Sequence, residues 1–241
     1  MRVDLTPSPP YPQPALVVEV FHGSLVGLLL SHGAAEVWVS RSARAALLQA
    51  AEGGLLFGEQ EGLPPEGFHY GTSLKHLESL EVGGRACVVL APTLAKTLAG
   101  LPEGSLLAHF RNARAAVQRA VRAGLETVVA AAETPQPDLG NSVAAGFLAR
   151  RLAQARGQGA SEVPGLAPAL LRSYPDPQEA LFQSEWGQRL YRTSRTEEIA
   201  LASVLSVEET VPVLQDRVVY EAAQHGLSKD RTVYCFRAEK P

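Results

Sequence analysis

Apolar and polar positions along this chain repeat in the order of a strand followed by a helix. The first repeat opens with a short apolar run, Ala15–Phe21, that a single carboxylate, Glu19, interrupts. From Ser24 onward, leucines recur at helical spacing until Gly33. This pattern predicts a buried strand, a tight turn and a helix. Because α/β sheets place ligands outside the carboxyl ends of their strands, we expect the turn to form part of a site.

Similar strand–helix alternation continues through most of the chain, and its spacing predicts helices on both faces of one sheet. The fold class is therefore α/β, a three-layer α/β/α arrangement with a mixed or mostly parallel central sheet. The other predicted strands are Arg2–Leu5, Ala35–Ser40, Leu55–Gly58, Arg85–Ala91, Ser105–Phe110, Glu126–Ala132, Thr210–Ala222 and Thr232–Arg237. The other predicted helices are Ala43–Glu52, Thr93–Gly100, Ala113–Ala123, Ser142–Gln154, Glu179–Arg192 and Thr196–Val204.

The organisation of the chain favours a single domain over residues 1–241, in which residues 1–14 form a proline-rich segment. A chain of 241 residues has ample core for one large α/β domain, and the sequence contains neither an internal repeat nor a clear linker. The segment Leu63–Ser79 is rich in glycine, proline and hydroxyl residues. A loop of that length is more often functional than idle.

Composition narrows the range of partners. The net charge of −3 gives no electrostatic reason to expect nucleic acid, and the apolar runs are too short to span a membrane. The first fourteen residues lack an apolar signal region. Cys87 and Cys235 lie far apart in apolar surroundings, which favours buried reduced thiols over a disulfide or a catalytic thiol. We therefore expect a soluble cytoplasmic protein with no nucleic-acid or membrane partner.

Several segments follow, in order and spacing, the motifs of one enzyme family. Glu19–Leu25 stands in place of Asp-Val-x-Arg-Ala-(Ser/Thr)-Thr, and Phe57–Gln60 in place of Gly-Gly-Glu-Arg. Phe68–Leu74 replaces Phe-x-x-Gly-Asn-Ser-Pro, and Ala91–Ala95 replaces Thr-Thr-Asn-Gly-Thr. The chain thus resembles the 2-phosphosulfolactate phosphatase family, the magnesium-dependent phosphatases of coenzyme M biosynthesis, over residues 15–219.

Other family positions are retained or altered in ways that matter for chemistry. The pair Asn112-Ala113 is kept, as are Ser184, Gly187 and Leu190 of a later Ser-x-x-Gly-x-x-Leu motif and the Val-Pro-Val at 211–213. Asn141 stands where the family has aspartate, although Asp138 is close by. Two expected arginines are replaced by His22 and Gln60. The resemblance implies the α/β fold of the family, whereas the function has to be argued from the residues of the site.

The resemblance implies hydrolysis of a small anionic phosphate ester with Mg²⁺ as cofactor. Such a reaction needs a hard cation on oxygen ligands and hydrogen-bond donors around the phosphoryl oxygens. Glu19 and Glu59, each at a strand end, are the expected catalytic carboxylates and metal ligands, with Asp138 as a third ligand. His22 is the third expected catalytic residue, since histidine can donate a hydrogen bond or serve as an acid. The expected substrate ligands are Ser24, Thr72, Ser73, Thr93 and Asn112.

Each of these assignments has a structural alternative. A carboxylate at a strand end can instead be paired with a neighbouring arginine, and a hydroxyl or amide side chain can be a turn or cap residue. Arg111 or Lys96 can restore the positive charge that the missing arginines would have supplied. A second function therefore stays open, that of a non-catalytic or repurposed family member that binds a small anionic ligand. Exposed helix faces leave a homodimer as a further expectation.

Overall fold

The computed structural model describes residues 1–77, 79–133, 135–159, 163 and 165–239, and it contains a nine-stranded sheet. This confirms the predicted α/β class and its mostly parallel sheet. The strands are β1 (Arg2–Asp4), β2 (Leu16–Val18), β3 (Glu36–Ser40), β4 (Leu55–Phe57), β5 (Ala86–Leu90), β6 (Leu106–Ala108), β7 (Thr127–Ala130), β8 (Val211–Tyr220) and β9 (Arg231–Glu239).

Helices occupy both faces of the sheet, as the alternation predicted. They are α1 (Phe21–Ser31), α2 (Ala43–Gln49), α3 (Leu74–Leu77), α4 (Pro92–Leu98), α5 (Ala113–Arg122), α6 (Leu139–Ala155), α7 (Ala167–Ser173), α8 (Pro177–Gln183), α9 (Glu185–Arg192), α10 (Glu197–Ser203) and α11 (Ala222–His225). In the described part of the chain, no helix is both long enough and apolar enough to cross a bilayer.

The sheet consists of two parallel blocks joined by an antiparallel hairpin. The strand order is β1-β7-β2-β6-β8-β9-β3-β5-β4. Neighbours within β1-β7-β2-β6 and within β3-β5-β4 are parallel, whereas β8 pairs antiparallel with β6 and with β9, and β9 pairs antiparallel with β3. The register of β8 against β9 shifts between Leu214 and Asp216, where a bulge interrupts the ladder.

Side-chain alternation along β3 shows how the sheet separates two cores. Val37 and Val39 are fully buried in the large core, while Trp38 points to the opposite face. There it packs in a smaller cluster with Leu56 and with the alanines of α2. Because successive strand side chains point to opposite faces, burial of both sets requires a layer on each side of the sheet.

Several helix boundaries differ from prediction, and α2, for example, ends at Gln49 rather than Glu52. Helix α1 begins at Phe21 rather than near Ser24, so the turn after β2 is only two residues long. Helix α6 begins at residue 139, because the Asp138 side chain caps it by accepting from the Asn141 amide. The single helix predicted over Glu179–Arg192 is two helices, α8 and α9.

The break between α8 and α9 has a clear physical cause at Ser184. Its backbone is extended (φ −66°, ψ 160°), and its hydroxyl oxygen accepts from the amide of Gly187 as the N-cap of α9. The two helices meet so closely that a Cβ on Gly187 would lie 1.9 Å from the carbonyl oxygen of Leu181. Only glycine fits at this junction, which fixes the direction in which α9 leaves it.

Candidate active site

A cleft of about 240 Å³ opens where residues following four strands, β2, β4, β5 and β7, come together. Helix α9 forms its other wall. The volume suits a small ester rather than a large cofactor, because drug-sized ligands occupy pockets of roughly 300–1,000 Å³. Its principal polar lining residues are Glu19, His22, Glu59, Thr93, Glu133, Asp138, Asn141, Glu185 and Arg189.

Glu19 occupies the two-residue turn between β2 and α1, and its carboxylate is buried there. Oε2 accepts a hydrogen bond of 2.5 Å from the backbone amide of Gly23, in the first turn of α1. Oε1 lies 3.6 Å from Nδ1 of His22. The helix amide that would otherwise be available to a phosphate is thus bound to Glu19, while Oε1 faces the histidine.

His22 is fixed between the Glu19 carboxylate and an aromatic ring from the opposite wall. Its ring centroid lies 4.7 Å from that of Trp186, at an interplanar angle of 59°. The residue is buried, with 8% of its surface exposed, yet it still lines the cleft. A histidine held on two sides presents its remaining polar edge in a defined direction.

Asp138 and Asn141 bring the start of α6 to the cleft. Asp138 Oδ1 accepts from the Asn141 amide over 2.7 Å. The pKa of Asp138 is raised to about 6. Burial is the largest cause, the hydrogen bond from the Asn141 amide opposes it, and the negative charges of Glu19 and Glu185 raise the pKa further. Asp138 therefore lies close enough to Glu19 for the two carboxylates to repel each other.

The side chain of Asn141 uses both of its polar atoms to tie two strand ends together. Its Oδ1 accepts from the amide of Val20 over 2.9 Å, and its Nδ2 donates to the carbonyl of Ala131 over 2.9 Å. An ionised aspartate can accept from Val20 but cannot donate to Ala131. The asparagine at the position of the family's aspartate therefore has a structural role in this chain.

Glu59 follows β4 and is paired with an arginine. Its Oε1 accepts from the Thr72 amide over 2.8 Å and from Nη1 of Arg195 over 2.7 Å. Burial by itself raises the pKa of Glu59, but the Thr72 hydrogen bond and Arg195 together lower that pKa below its usual value. The sequence left two roles open for Glu59, that of a metal ligand and that of a partner for an arginine. In the structure Glu59 is paired with Arg195.

Thr93, which the sequence predicts as a substrate ligand, lies at the start of α4 and lines the cleft. Its hydroxyl donates to Glu133 over 3.4 Å, and Lys96 on the next turn pairs with the same carboxylate over 2.8 Å. Lys96 was one candidate for restoring positive charge. In the structure that charge is largely neutralised by Glu133 before any ligand arrives.

The remaining predicted ligands lie outside the lining of the cleft. The hydroxyl of Ser24 donates to the carbonyl of Val20 within α1. Thr72 contributes its amide to Glu59, and Ser73 donates its hydroxyl to the buried Glu198. Asn112 is fully buried and accepts from the His109 amide. The other expected cation, Arg111, pairs with Glu208.

Arg189 and Trp186, which the sequence analysis did not single out, form the second wall of the cleft. The Arg189 guanidinium carbon lies 4.9 Å from the centroid of the Trp186 ring. Its Nη2 lies 3.8 Å from Oε1 of Glu185, too far for a hydrogen bond, and the pair is exposed. Both residues lie on the helix that the sequence predicts over Glu179–Arg192. Nothing in the sequence shows where that helix packs.

The chain matches a known protein family over most of its length. The family model described as 2-phosphosulpholactate phosphatase matches residues 1–217. The chain belongs to this family. The resemblance noted from the sequence motifs is thereby confirmed, and the description of the family is that of a phosphatase.

Two curated relatives cover nearly the whole chain of this family member. A protein of Deinococcus radiodurans named "Probable 2-phosphosulfolactate phosphatase" is 31% identical over 222 residues, and the match covers 89% of this chain and 92% of the relative. A protein of Thermus thermophilus with the same name is 31% identical over 227 residues, or 90% and 95% of the two chains. Residues 1–217, which the family model matches, include both walls of the cleft.

The side chains of this cleft could hold one magnesium ion if water molecules supplied most of its ligands. Among the described residues, no three His, Cys, Asp or Glu side chains gather as a metal site made of protein alone. Magnesium does not need such a set, because it commonly binds through one or two carboxylates and keeps several waters. Glu19 and Asp138 are two carboxylates that line the same cleft, and a cation would relieve the repulsion between their charges. Glu59 is engaged by Arg195 and fits this role less well.

Proposed function

We propose that this chain hydrolyses a small phosphate monoester of the 2-phosphosulfolactate type in the cleft between the strand ends and α9. The observation that carries the proposal is the meeting of Glu19, His22, Thr93 and Asp138, from distant parts of the chain, in one small cleft. The match of the chain to a phosphatase family over 217 residues supports the same reaction.

The charge of the cleft supports a requirement for a divalent cation. Its carboxylates outnumber its cations, and one of the cations near it, Lys96, is already paired with Glu133. A phosphate dianion would be repelled by such a surface. We therefore propose that Glu19 and Asp138 hold Mg²⁺ together with water. When bound, Mg²⁺ supplies Lewis acidity that offsets the charge on the phosphoryl oxygens.

The other residues of the cleft bind and orient the ester. His22, held between Glu19 and Trp186, is placed to donate a hydrogen bond to a phosphoryl or leaving-group oxygen. The hydroxyl of Thr93 is a second donor at the edge of the cleft. Glu59 acts as a positioning residue, because its bonds to Thr72 and Arg195 fix the loop that follows β4.

The test is phosphate release from 2-phosphosulfolactate and a panel of small phosphate esters, with Mg²⁺ or with EDTA. Glu19→Gln and Asp138→Asn keep the size of the side chain and remove its charge. We expect each to lower magnesium-dependent turnover by about two orders of magnitude or more. Glu66→Gln, at an exposed carboxylate outside the cleft, should leave turnover unchanged. Turnover that is indifferent to EDTA and to both variants would reject the proposed site.

A second candidate is a family member that binds a small anionic ligand without hydrolysing it. It is favoured by the engagement of Ser24, Asn112 and Glu59 in internal hydrogen bonds, since none of them then needs a ligand. Calorimetric binding of 2-phosphosulfolactate by the wild-type protein, with no phosphate release at any magnesium concentration, would establish this function. Phosphate release would exclude it.

A further inference from the structure

The guanidinium of Arg189 differs from the other cations near the cleft in what it binds. Arg195 donates to Glu59, Lys96 pairs with Glu133, and Arg111 pairs with Glu208. Among the residues that the structure describes, Arg189 has only the stacking contact with Trp186 and the long, exposed approach of Glu185. Its hydrogen-bond donors are therefore available to a ligand in the cleft.

The position of Arg189 is fixed although its donors are free. The junction at Ser184 sets the direction of α9, and Gly187 permits its close approach to Leu181. Trp186 then packs on Phe21 and His22, with ring centroids 6.2 Å and 4.7 Å apart, and provides the surface on which the guanidinium rests. A guanidinium that already rests on an aromatic ring loses little conformational freedom when it binds an acid group.

Arg189 lines the same cleft as the carboxylates that would hold the phosphoryl group, on the helix that forms the other wall. The contacts run from Glu19 to His22, from His22 to Trp186 and from Trp186 to Arg189, so two side chains intervene along this path. A small ester whose phosphoryl group lies at Glu19 and Asp138 therefore has its organic part near Arg189. An acid group on that part would meet a guanidinium whose ion pair with Glu185 is long, at 3.8 Å, and exposed.

We propose that Arg189 is a specificity-determining residue, which selects phosphate esters that carry a second acid group, a carboxylate or a sulfonate, on the organic part of the molecule. The inference rests on the proposed function for the location of the phosphoryl group. It goes further by assigning the recognition of the remainder of the substrate to α9, the wall opposite the strand ends.

Three probe esters separate the two kinds of recognition. Ethyl phosphate has no second acid, phosphoglycolate has a carboxylate, and 2-sulfoethyl phosphate has a sulfonate. Arg189→Met should raise KM for one or both of the two-acid esters about 10- to 100-fold, the loss expected for a charged hydrogen bond. KM and kcat for ethyl phosphate should stay within about threefold of wild type. The ester that responds more strongly identifies the acid.

Two further variants act as controls. Arg192→Met removes the same charge from the same helix at an exposed residue outside the cleft and should leave all three esters unaffected. Arg189→Lys keeps the charge but loses the planar fork, and we expect an intermediate KM. An equal rise in KM for all three esters would overturn the inference, because Arg189 would then hold the phosphoryl group. An unchanged KM for all three would overturn it as well.

Failure of the proposed function would be recognised separately. If the wild-type protein hydrolyses none of the esters, calorimetric titration with phosphoglycolate and 2-sulfoethyl phosphate replaces the kinetic measurement. Tighter binding of either ester to the wild type than to Arg189→Met, with ethyl phosphate indifferent, supports the role of Arg189 in a protein that is not a phosphatase. Equal binding by the two proteins contradicts it.

Discussion

Nη1 of Arg195 lies 2.7 Å from Oε1 of Glu59, although the two residues are 136 positions apart in the chain. The contact joins the loop after α9 to the loop after β4. The same carboxylate oxygen accepts from the Thr72 amide, so the pair also holds the segment that follows Glu59. A residue predicted to bind metal is, in the structure, the centre of a connection between two parts of the fold.

Loss of this arginine should destabilise the protein. Arg195→Met leaves a carboxylate whose side chain is 5% exposed without its cation. Because Arg195 is itself partly exposed, we expect a cost of about 1–3 kcal/mol, less than for a fully buried pair. Thermal unfolding should show a melting temperature lower by about 3–10 °C. Arg192→Met should show no such loss.

Two controls test whether the unpaired charge is the cause. The double variant Glu59→Gln with Arg195→Met should be more stable than Arg195→Met alone, since the amide still accepts from Thr72 and carries no charge. The pKa of Glu59 is lowered in the folded protein, so its ionised form contributes stability above the unfolded value near 4.5, and that contribution is lost as pH falls. The deficit of Arg195→Met should therefore shrink in acid. A deficit that is independent of pH would point to lost packing instead.

Asp138 makes the opposite contribution to stability. The pKa of Asp138 is raised from 3.8 to about 6, so between these values the folded protein binds more protons than the unfolded chain. Stability from this group is present below about pH 4 and is lost as pH rises through 6. In EDTA, Asp138→Asn should therefore gain about 1–3 kcal/mol over wild type at pH 7.5 and little at pH 4. Denaturant unfolding at the two pH values measures the difference, and equal gains would reject it.

Restoring the family's aspartate at position 141 should weaken the fold. Asn141→Asp keeps the acceptor for Val20 but turns a carboxylate oxygen toward the carbonyl of Ala131. A buried acceptor left without its donor costs about 1–3 kcal/mol, which lowers the melting temperature by several degrees. A protonated aspartate can donate, so the loss should be smaller at pH 4.5 than at pH 8. A variant as stable as wild type at pH 8 would contradict the assigned role.

Two glycines of α1 should respond differently to alanine. A Cβ on Gly27 would lie 2.7 Å from Nε2 of His109 and 3.1 Å from Oε2 of Glu208, both fully or nearly buried. A Cβ on Gly23 would have no neighbour closer than 3.6 Å. Alanine is favoured over glycine in a helix by about 1 kcal/mol. Gly23→Ala should therefore be neutral or stabilising, whereas Gly27→Ala should lower the melting temperature. Equal effects would show that His109 moves without cost.

The sequence predicted the strands well because each is a short apolar run bounded by turn residues, as in Ala35–Ser40. Helix ends were less accurate, since caps such as Asp138 and Ser184 act through the hydrogen bonds of individual side chains. The strand-end position of Glu19 followed from the alternation, whereas Asp138 became a candidate through the family resemblance. Arg189 and Arg195 could not be placed, because their roles depend on contacts with residues more than 100 positions earlier, of Trp186 with His22 and of Arg195 with Glu59. The Ser24 hydroxyl proved to bond to the local backbone, and the Asn112 side chain to backbone groups both nearby and at Thr210.

The hairpin of β8 and β9 has a consequence for how the protein is made. Both strands follow all the others in the chain, yet they lie in the middle of the sheet, between β6 and β3. Until residues 211–239 have left the ribosome, the two parallel blocks have no shared edge, and each presents an unpaired strand to the surroundings. We infer that the growing chain carries these two open sheet edges from the time β6 has formed until the hairpin is added. The cleft can acquire its final form only when the last hairpin closes the gap.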